Sequence, residues 1–573
     1  MKILNFQPDF LVIPHSDHQA DFARVLAQHG EVVEHLIWPA IFLPCSQPMQ
    51  GFTIQQYAQV VLSESSRDPA SYCGARRLNG RCFTPPINLL IAAVDQAERD
   101  VDTHDSPAQP LVIDNRDFSL LPYFDLALTY KLRPEDVVSS LPSIQSYKLV
   151  LFAALVVYRL AKALLESDAY KSVYFFNDYS PMTAMALAAR AMGRKAFTIT
   201  NTIYGGGDFT NTIILNRPEI LHRVRRISLW PYVKEYQLMP GSESILKKEI
   251  SSKIYSTSHT SYSPSVDVFS SATLLRLDQS RPRIALFPSS NDEFHATKSH
   301  TSVVCEASLT DSPNLYSDQR EWILDIAQRC QAKGIQLVVR CHPRIDADHR
   351  GLGRSAEYDD WIAIGQYLES IGHIFIHPSD RTSSYLLIFL CHAVFISWSS
   401  IGIESSLLGR PTYQFFNAVG PLRHYPDDAD FLPHVNTSLK LDQLLETISN
   451  CLSSPDSALS DSVRHRRITY AARFYIWYRH CNSLRLFDGG SSIQRPVNPS
   501  LSEFFLKDPT LESWPEDLSY MHLLNLHEHI PVASSEAINN STESDLISHV
   551  NSAADSIASI VPVDLRNLWA TGD

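Results

Sequence analysis

The sequence has no CxxC pair, no basic excess and no apolar run long enough to cross a membrane, and each absence removes a class of protein. Its nine cysteines (Cys45, Cys73, Cys82, Cys305, Cys330, Cys341, Cys391, Cys451 and Cys481) are scattered and odd in number. That pattern argues against a zinc ribbon and against a disulfide framework, and it fits a reducing cytosol. The formal net charge is −13, whereas a nucleic-acid binder shows a basic patch or a high pI. The most apolar run, Leu149 to Tyr158, stops at Arg159; a membrane span needs about 20 such residues, so the run reads as a buried helix. The N-terminus, MKILNFQPDFLVIPHSD, lacks the long apolar segment of a signal peptide. A cytoplasmic protein is expected. Basic stretches at His222, Arg223, Arg225 and Arg226, and at His465, Arg466 and Arg467, read first as solvated faces or interdomain contacts. Their second reading is peripheral contact with the inner face of the plasma membrane. The run Tyr204-Gly205-Gly206-Gly207-Asp208 lacks the Lys-Ser/Thr ending of a phosphate-binding Walker loop, and no G-x-S-x-G elbow supports a serine hydrolase.

What the chain does contain is a long alternation of strand-like and helical patterns. A chain of 573 residues with 44% hydrophobic and 19% charged residues has the size of two or three soluble domains. The alternation predicts α/β architecture. In the N-terminal part, strands are expected at 10–14, 32–38, 111–114, 172–177 and 196–200, with helices at 147–166 and 181–192. Residues 40–110 mix Pro, Cys and Arg with short helical stretches and read as an insertion within an N-terminal domain of residues 1–225. Residues 226–282, rich in Ser, Tyr and Lys, read as a linker with helices. A second α/β domain is expected over 283–455, with strands at 283–288, 335–341, 373–377, 393–397 and 412–416 and helices at 318–332 and 401–408. An aromatic helical stretch at 471–486 falls in a segment, 456–494, that would cross back to the first domain. Pro, Ser, Asn and Asp accumulate after 495, which predicts a largely flexible tail.

Two pieces of the second domain carry the chemistry. The first is VVRCHPR, from Val338; the second is VFISWSSIGIESSLLGRPTYQFF, from Val394 to Phe416. Side chains alternate along a strand, so Arg340 and His342 share a face, and Pro343 keeps His342 extended and ends the strand. Ser399 and Ser400 stand where the next strand gives way to a helix, whose free N–H groups suit an anion. Glu404, on the first turn, is placed to accept from a ribose hydroxyl. Gly402 permits close approach of a ligand or of backbone. The plainer readings are a strand-end ion pair for Arg340 and His342, and helix capping for Ser399, Ser400 and Glu404.

The order R-x-H-P (Arg340–Pro343), S-S-x-G-x-E-S (Ser399–Ser405) and G-R-P (Gly409–Pro411), together with FPSSNDEFHA at Phe287 to Ala296, resembles the C-terminal half of GT-B glycosyltransferases. Among these it is similar to bacterial capsule and surface-polysaccharide synthesis proteins, some of which transfer Kdo or sialic acid from CMP-sugars. The resemblance covers Val173 to Tyr413. It implies two Rossmann-like domains facing each other across a cleft, with the nucleotide-sugar donor held by Arg340, His342, Ser399, Ser400, Gly402 and Glu404. Ser290 and Glu293 would meet the donor sugar or base, with an Asx turn or helix cap as the alternative. Arg340 and His342 would stabilise the leaving nucleotide. The N-terminal domain would hold a growing glycan or lipid-linked acceptor, and a base to deprotonate it is sought among Asp178, His15 and Asp17, each of which can equally be structural. No metal and no cofactor beyond the donor are expected, since Asp346-Ala-Asp348 and Asp428-Ala-Asp430 only imitate a DxD motif in polar loops. Two other reactions suit the same fold: transfer of a polyol phosphate from a CDP-polyol, and 2-epimerisation of a nucleotide sugar. A non-catalytic glycan-binding or scaffold protein would keep the fold without turnover.

Overall fold

The computed structural model describes residues 2–8, 19–27, 31–46, 49–72, 78–166, 169–201, 212–216, 250–256, 263–266, 276–304, 314–346, 357–416, 431–451, 459–476 and 484–485, apart from single positions inside these spans, together with residues 246 and 273. Two α/β units organise them, each built on its own sheet.

The first sheet holds β1 (Lys2–Gln7), β2 (Val33–Ile37), β3 (Arg81–Phe83), β4 (Tyr170–Phe176), β5 (Lys195–Asn201) and β6 (Thr212–Asn216). They lie in the order β6-β5-β4-β1-β2-β3. All these neighbours are parallel except β6, which runs antiparallel to β5 and, on its outer side, to a seventh strand at Leu484–Arg485 that forms the edge of the sheet. The second sheet holds β7 (Arg283–Phe287), β8 (Gln336–Arg340), β9 (Ile374–Ile376), β10 (Ala393–Ile396) and β11 (Thr412–Gln414), in the order β9-β8-β7-β10-β11. Every pair in it is parallel. Both sheets reverse direction next to their first strand, the doubly wound pattern that leaves a crevice at the carboxyl ends.

The second sheet is buried on both faces, which is why its strands read as continuous apolar runs. Ala285 and Phe287 enter one core cluster, while Ile284 and Leu286 enter the other. The same alternation sends Leu337, Val339 and Cys341 to one side and Val338 to the opposite one, with Arg340 following Val338 by the two-residue period.

Nine helices matter for the site and the interface between the units: α1 (Pro122–Leu128), α2 (Leu141–Glu166), α3 (Ser180–Ala191), α4 (Asn291–Val304), α5 (Gln319–Ala332), α6 (Tyr358–Ser370), α7 (Ser384–Leu390), α8 (Ile401–Leu407) and α9 (Asp461–Ile476). In α2, Leu149 to Tyr158 is buried at every position, as a helix apolar on all sides requires. Each fully buried Leu or Val there contributes about 1.5–3 kcal/mol. Arg159 ends the run by pairing with Asp100 at 2.7 Å. Among the described residues no helix is long and apolar enough to cross a membrane.

Some expectations are corrected. The first strand is Lys2–Gln7; residues 10–14 lie outside the described residues. The strand pattern is hidden because buried Asn5 and Gln7 interrupt it, Asn5 being satisfied by His35 Nδ1 at 2.8 Å and by Gln19 at 2.9 Å. The strand sought at 111–114 is a two-residue piece, Val112–Ile113, paired in a hairpin with Arg116–Asp117 outside the main sheets. Asp114 and Asn115 make its turn with φ of 50° and 62°, a conformation that Asp and Asn tolerate. Within 40–110, Tyr57, Val61, Leu90 and Val94 join the same core as Leu4 and Phe6 of β1. The late helix runs over Asp461–Ile476, and a strand follows at Leu484–Arg485. Helix α9 packs Ile468, Ala471 and Phe474 on the second unit's core, and Leu484–Arg485 pairs with β6 of the first sheet.

The two units touch through α1 and α4, which pack together, and Val303 of α4 is buried in the first unit's core. Lys131 forms a buried ion pair with Asp292, Arg133 reaches Asp360 at 3.2 Å, and Arg190 donates to the Val304 carbonyl at 2.9 Å.

Candidate functional site

At the carboxyl ends of β7, β8 and β10, where the strand order reverses, lies a pocket whose wall includes Arg340, His342, Ser399, Ser400 and Glu404. Five of the expected donor-binding residues thus come together from two strand exits.

Arg340 closes β8 and is 4% exposed. Among the described residues its guanidinium has neither an ion pair nor a hydrogen bond. Burial lowers its pKa to about 10, against the opposing pull of Asp380. A buried cation with no carboxylate in contact is costly unless something neutralises it. His342 stands half-buried on the same wall, and the 3-10 turn Pro343–Ile345 begins directly after it.

Helix α8 begins after the Ser-Ser turn. Ser399 Oγ accepts from Ile401 N at 3.3 Å, whereas the Ser400 side chain makes no cap hydrogen bond. The capping box that Ser400 and Glu404 suggest is therefore not formed. Glu404 instead accepts from the Tyr385 hydroxyl at 2.7 Å, and its other oxygen lies 3.6 Å from Lys253 Nζ. Burial, and then Glu404, push the Tyr385 hydroxyl well above its ordinary value, so it remains a donor. Lys253, Ser263, Ser384 and Tyr385 complete the wall, and nothing in the motifs pointed to them. Tyr385 had one available signal: it follows a strand and a polar turn at Thr382-Ser383-Ser384, as Ser399 and Ser400 do.

Gly402 is placed differently from the expectation. A Cβ there would run into Ile396 Cδ1 and stand 3.1 Å from Leu432 Cδ2, so the close approach it permits is to the core and not to a ligand. Overpacking of this kind costs about 1–3 kcal/mol, and alanine's better helix propensity returns about 1 kcal/mol. Gly402→Ala is expected to lower stability by ~1 kcal/mol in denaturant melts while leaving ligand affinity in the pocket unchanged. A stabilised variant, or one with altered affinity, would contradict this placement.

Ser290 and Glu293 do not line the pocket; Phe287 and Pro288 do. Ser290 is buried, and Glu293 sits in the first turn of α4. Their neighbours hold the loop in place. Ser397 Oγ donates to Ser289 Oγ at 2.8 Å, Gln319 Nε2 donates to the Ser289 carbonyl at 2.9 Å and to Asn291 Oδ1 at 2.5 Å, and Asn291 Nδ2 donates to Glu357 at 2.7 Å. Asp178 follows β4 in the first unit and lies 3.8 Å from His300 Nε2 of α4; it lines neither this pocket nor the one described below. His15 and Asp17 lie outside the described residues. Among the described residues no group of three or more His, Cys, Asp or Glu stands close enough to hold a metal.

Fold and pocket together define a two-unit α/β protein with an anion-suited pocket at the reversal of its second sheet. No protein-family model and no curated protein matches the sequence. Solved structures similar to it include a putative UDP-N-acetylglucosamine 2-epimerase from Listeria monocytogenes (8% identity, 83% of this chain and 92% of that one, TM-score 0.27). The S. aureus MnaA-UDP co-structure is similar at 10% identity, over 83% of this chain and 92% of that one, with a TM-score of 0.28. Another is the beta Kdo 2,4 transferase KpsC from Thermosulfurimonas dismutans (12% identity, 43% of this chain and 70% of that one, TM-score 0.26). Likeness at this level carries nothing about reaction or ligand.

Proposed function

We propose that the protein is a glycosyltransferase that moves a sugar from a nucleotide-activated donor to a growing surface polysaccharide or lipid-linked glycan. The observation that supports this most is Arg340: buried, lining the pocket, and with neither an ion pair nor a hydrogen bond among the described residues. A donor phosphate would neutralise it, and the planar guanidinium can bind two phosphate oxygens at once. As the glycosidic bond breaks, the phosphate takes up negative charge, and a pre-placed cation in a water-poor pocket stabilises that change more than it stabilises the ground state. His342 would add a second donor to the phosphate when protonated. Ser399 and Ser400 line the same pocket. Glu404, fixed by Tyr385, retains lone pairs for a ribose hydroxyl. A CMP-sugar as donor follows from the motif resemblance.

The test is a thermal-shift titration with CMP, CDP, UDP and GDP, on the native protein and on His342→Ala. Ligand at 100 times its Kd stabilises by about 2.7 kcal/mol. One nucleotide is expected to stabilise selectively, and the variant to respond less. A folded protein that responds to none of the four would remove the donor site and leave the glycan-binding alternative.

A further inference from the structure

A second cavity opens between the two units. It is walled by Arg133 and Glu135 of the first unit and by α4, α5 and α6 of the second. Its electrostatics differ from those of the Arg340 pocket. The Arg340 pocket sets Arg340 and Lys253 against Glu404 alone. The interunit cavity sets Arg133, Lys298 and Arg320 against Glu135, Asp318, Glu357 and Asp360, and Arg133 is already paired with Asp136 and Asp360. So balanced a wall gives an anion no net attraction. It suits a neutral ligand with many hydroxyls. Phe294, Trp361 and Phe416 supply apolar walls for the C–H faces of a sugar ring, in the mixed lining usual for small-molecule sites.

Within this cavity Glu357 is the group held most firmly. It is 5% exposed, and it accepts from Asn291 N at 3.1 Å, Asn291 Nδ2 at 2.7 Å and Trp361 Nε1 at 3.0 Å. Its field reaches Cys341 of the Arg340 pocket, whose thiol is pushed up by burial and then by Glu357. The segment Phe287 to Asn291 borders both cavities, with Phe287 and Pro288 lining one and Asn291 the other.

We propose that the interunit cavity binds a neutral sugar and that Glu357 accepts the proton of the sugar hydroxyl that reacts. The binding stands by itself; the proton transfer rests on the donor reading of the Arg340 pocket. In that step the hydroxyl oxygen bonds to the donor's anomeric carbon and its proton passes to Glu357. The bond from that carbon to the phosphate oxygen breaks, and its electron pair stays on the phosphate beside Arg340. Burial, reinforced by Asp292, raises the Glu357 carboxyl to about 7, against the lowering effect of Trp361 and Asn291. The charged and titratable groups around it are Asp292, itself paired with Lys131, Cys341, and, on the wall of the same cavity, Arg133, Glu135, Lys298, Asp318, Arg320, Asp360 and His295, the last with its pKa lowered by burial.

A hydroxyl donating to the carboxylate favours its charged form, so sugar affinity must rise with pH. The experiment is saturation-transfer NMR with methyl glycosides of glucose, galactose, N-acetylglucosamine and rhamnose, on native protein, Phe294→Ala and Glu357→Gln. At least one glycoside is expected to bind several-fold more tightly at about pH 8.5 than at about pH 5.5, either side of the raised carboxyl. Glu357→Gln should abolish that dependence and Phe294→Ala should weaken binding at both pH values. Failure of all four glycosides to bind, or a pH dependence that survives in Glu357→Gln, would overturn the proposal. Nucleotide titration of the same samples separates the two readings: glycoside binding without nucleotide binding keeps the sugar site and removes the transfer step.

Discussion

Arg340→Met is expected to make the second unit more stable and to abolish nucleotide binding in the same variant. The guanidinium is almost wholly buried, and burial brings its pKa down to about 10 from the ordinary 12.5 or above. Such a depression corresponds to roughly 3 kcal/mol of strain on the charged form. Methionine fills a similar length without a charge and extends the apolar face begun by Val338. Replacing buried charge by well-packed apolar groups has been worth about 1–4 kcal/mol in other proteins. For a domain of this size each kcal/mol raises the melting temperature by about 2–4 °C. The sign of the pH dependence follows. Both folded and unfolded forms are charged at neutral pH, so the penalty is complete there. It fades as pH rises through about 10, where the folded form loses its proton first. The stability advantage of Arg340→Met should therefore be constant near neutrality and shrink above about pH 10. Function moves the other way, because the residue that costs stability is the one aimed at the anion, a familiar exchange at binding sites. Calorimetry with and without nucleotide checks both halves. A variant that melts lower, or that still responds to the nucleotide, would mean that Arg340 is neutralised by the protein itself.

Sequence pattern conveyed the second unit well because its strands are buried on both faces. Continuous runs such as RIALF and AVFI leave little ambiguity about where a parallel strand lies. Pattern failed at β1, where Asn5 and Gln7 are buried polar residues and Asn5 is satisfied by the distant His35 and Gln19. It failed again at β6, an antiparallel strand at the far side of the first sheet that pairs with Leu484–Arg485 from much later in the chain. The motifs of the Arg340 pocket were visible because alternation along β8 and the exit from β10 are local properties. Lys253 and Tyr385 were not, since only tertiary packing brings them against Glu404. The FPSSND loop shows the limit most clearly. Its composition announced polar contacts, but whether Ser289 or Ser290 meets a ligand depends on Gln319, thirty positions away. Glu357 carried no motif at all, and its raised proton affinity arises from burial and Asp292, neither of which is written in the neighbouring sequence.

Lys131→Met is expected to loosen the two units from each other, with a cost of about 3–5 kcal/mol if they stay together. Lys131 and Asp292 are respectively 3% and 4% exposed at the side chain, so removing the ammonium leaves a carboxylate in a water-poor interface. Lys131 also occupies a left-handed backbone conformation, with φ of 58°. Methionine shares that strain, so the substitution isolates the loss of charge. The stranded carboxylate has two ways out. It can be tolerated, in which case the whole penalty appears as lost stability, or the units can part and hydrate Asp292. The interface opposing separation includes Val303 in the first unit's core, the α1–α4 packing and the partly exposed Arg133–Asp360 pair. An exposed pair adds only about 0–1 kcal/mol, and one buried valine about 1.5–3 kcal/mol. Those contributions are comparable to the penalty, so a substantial open population should appear as a larger radius of gyration in small-angle scattering. Asp292→Asn removes the stranded charge. The double variant Lys131→Met with Asp292→Asn should therefore be more compact and more stable than Lys131→Met alone, with a coupling of about 0.5–3 kcal/mol in denaturant melts. Glycoside binding in the interunit cavity should weaken in Lys131→Met and recover in the double variant, because Arg133 reaches that cavity only while the units are joined. Equal scattering profiles and additive stabilities would show that the pair contributes nothing to holding the units together, and that the α1–α4 contact does so without it.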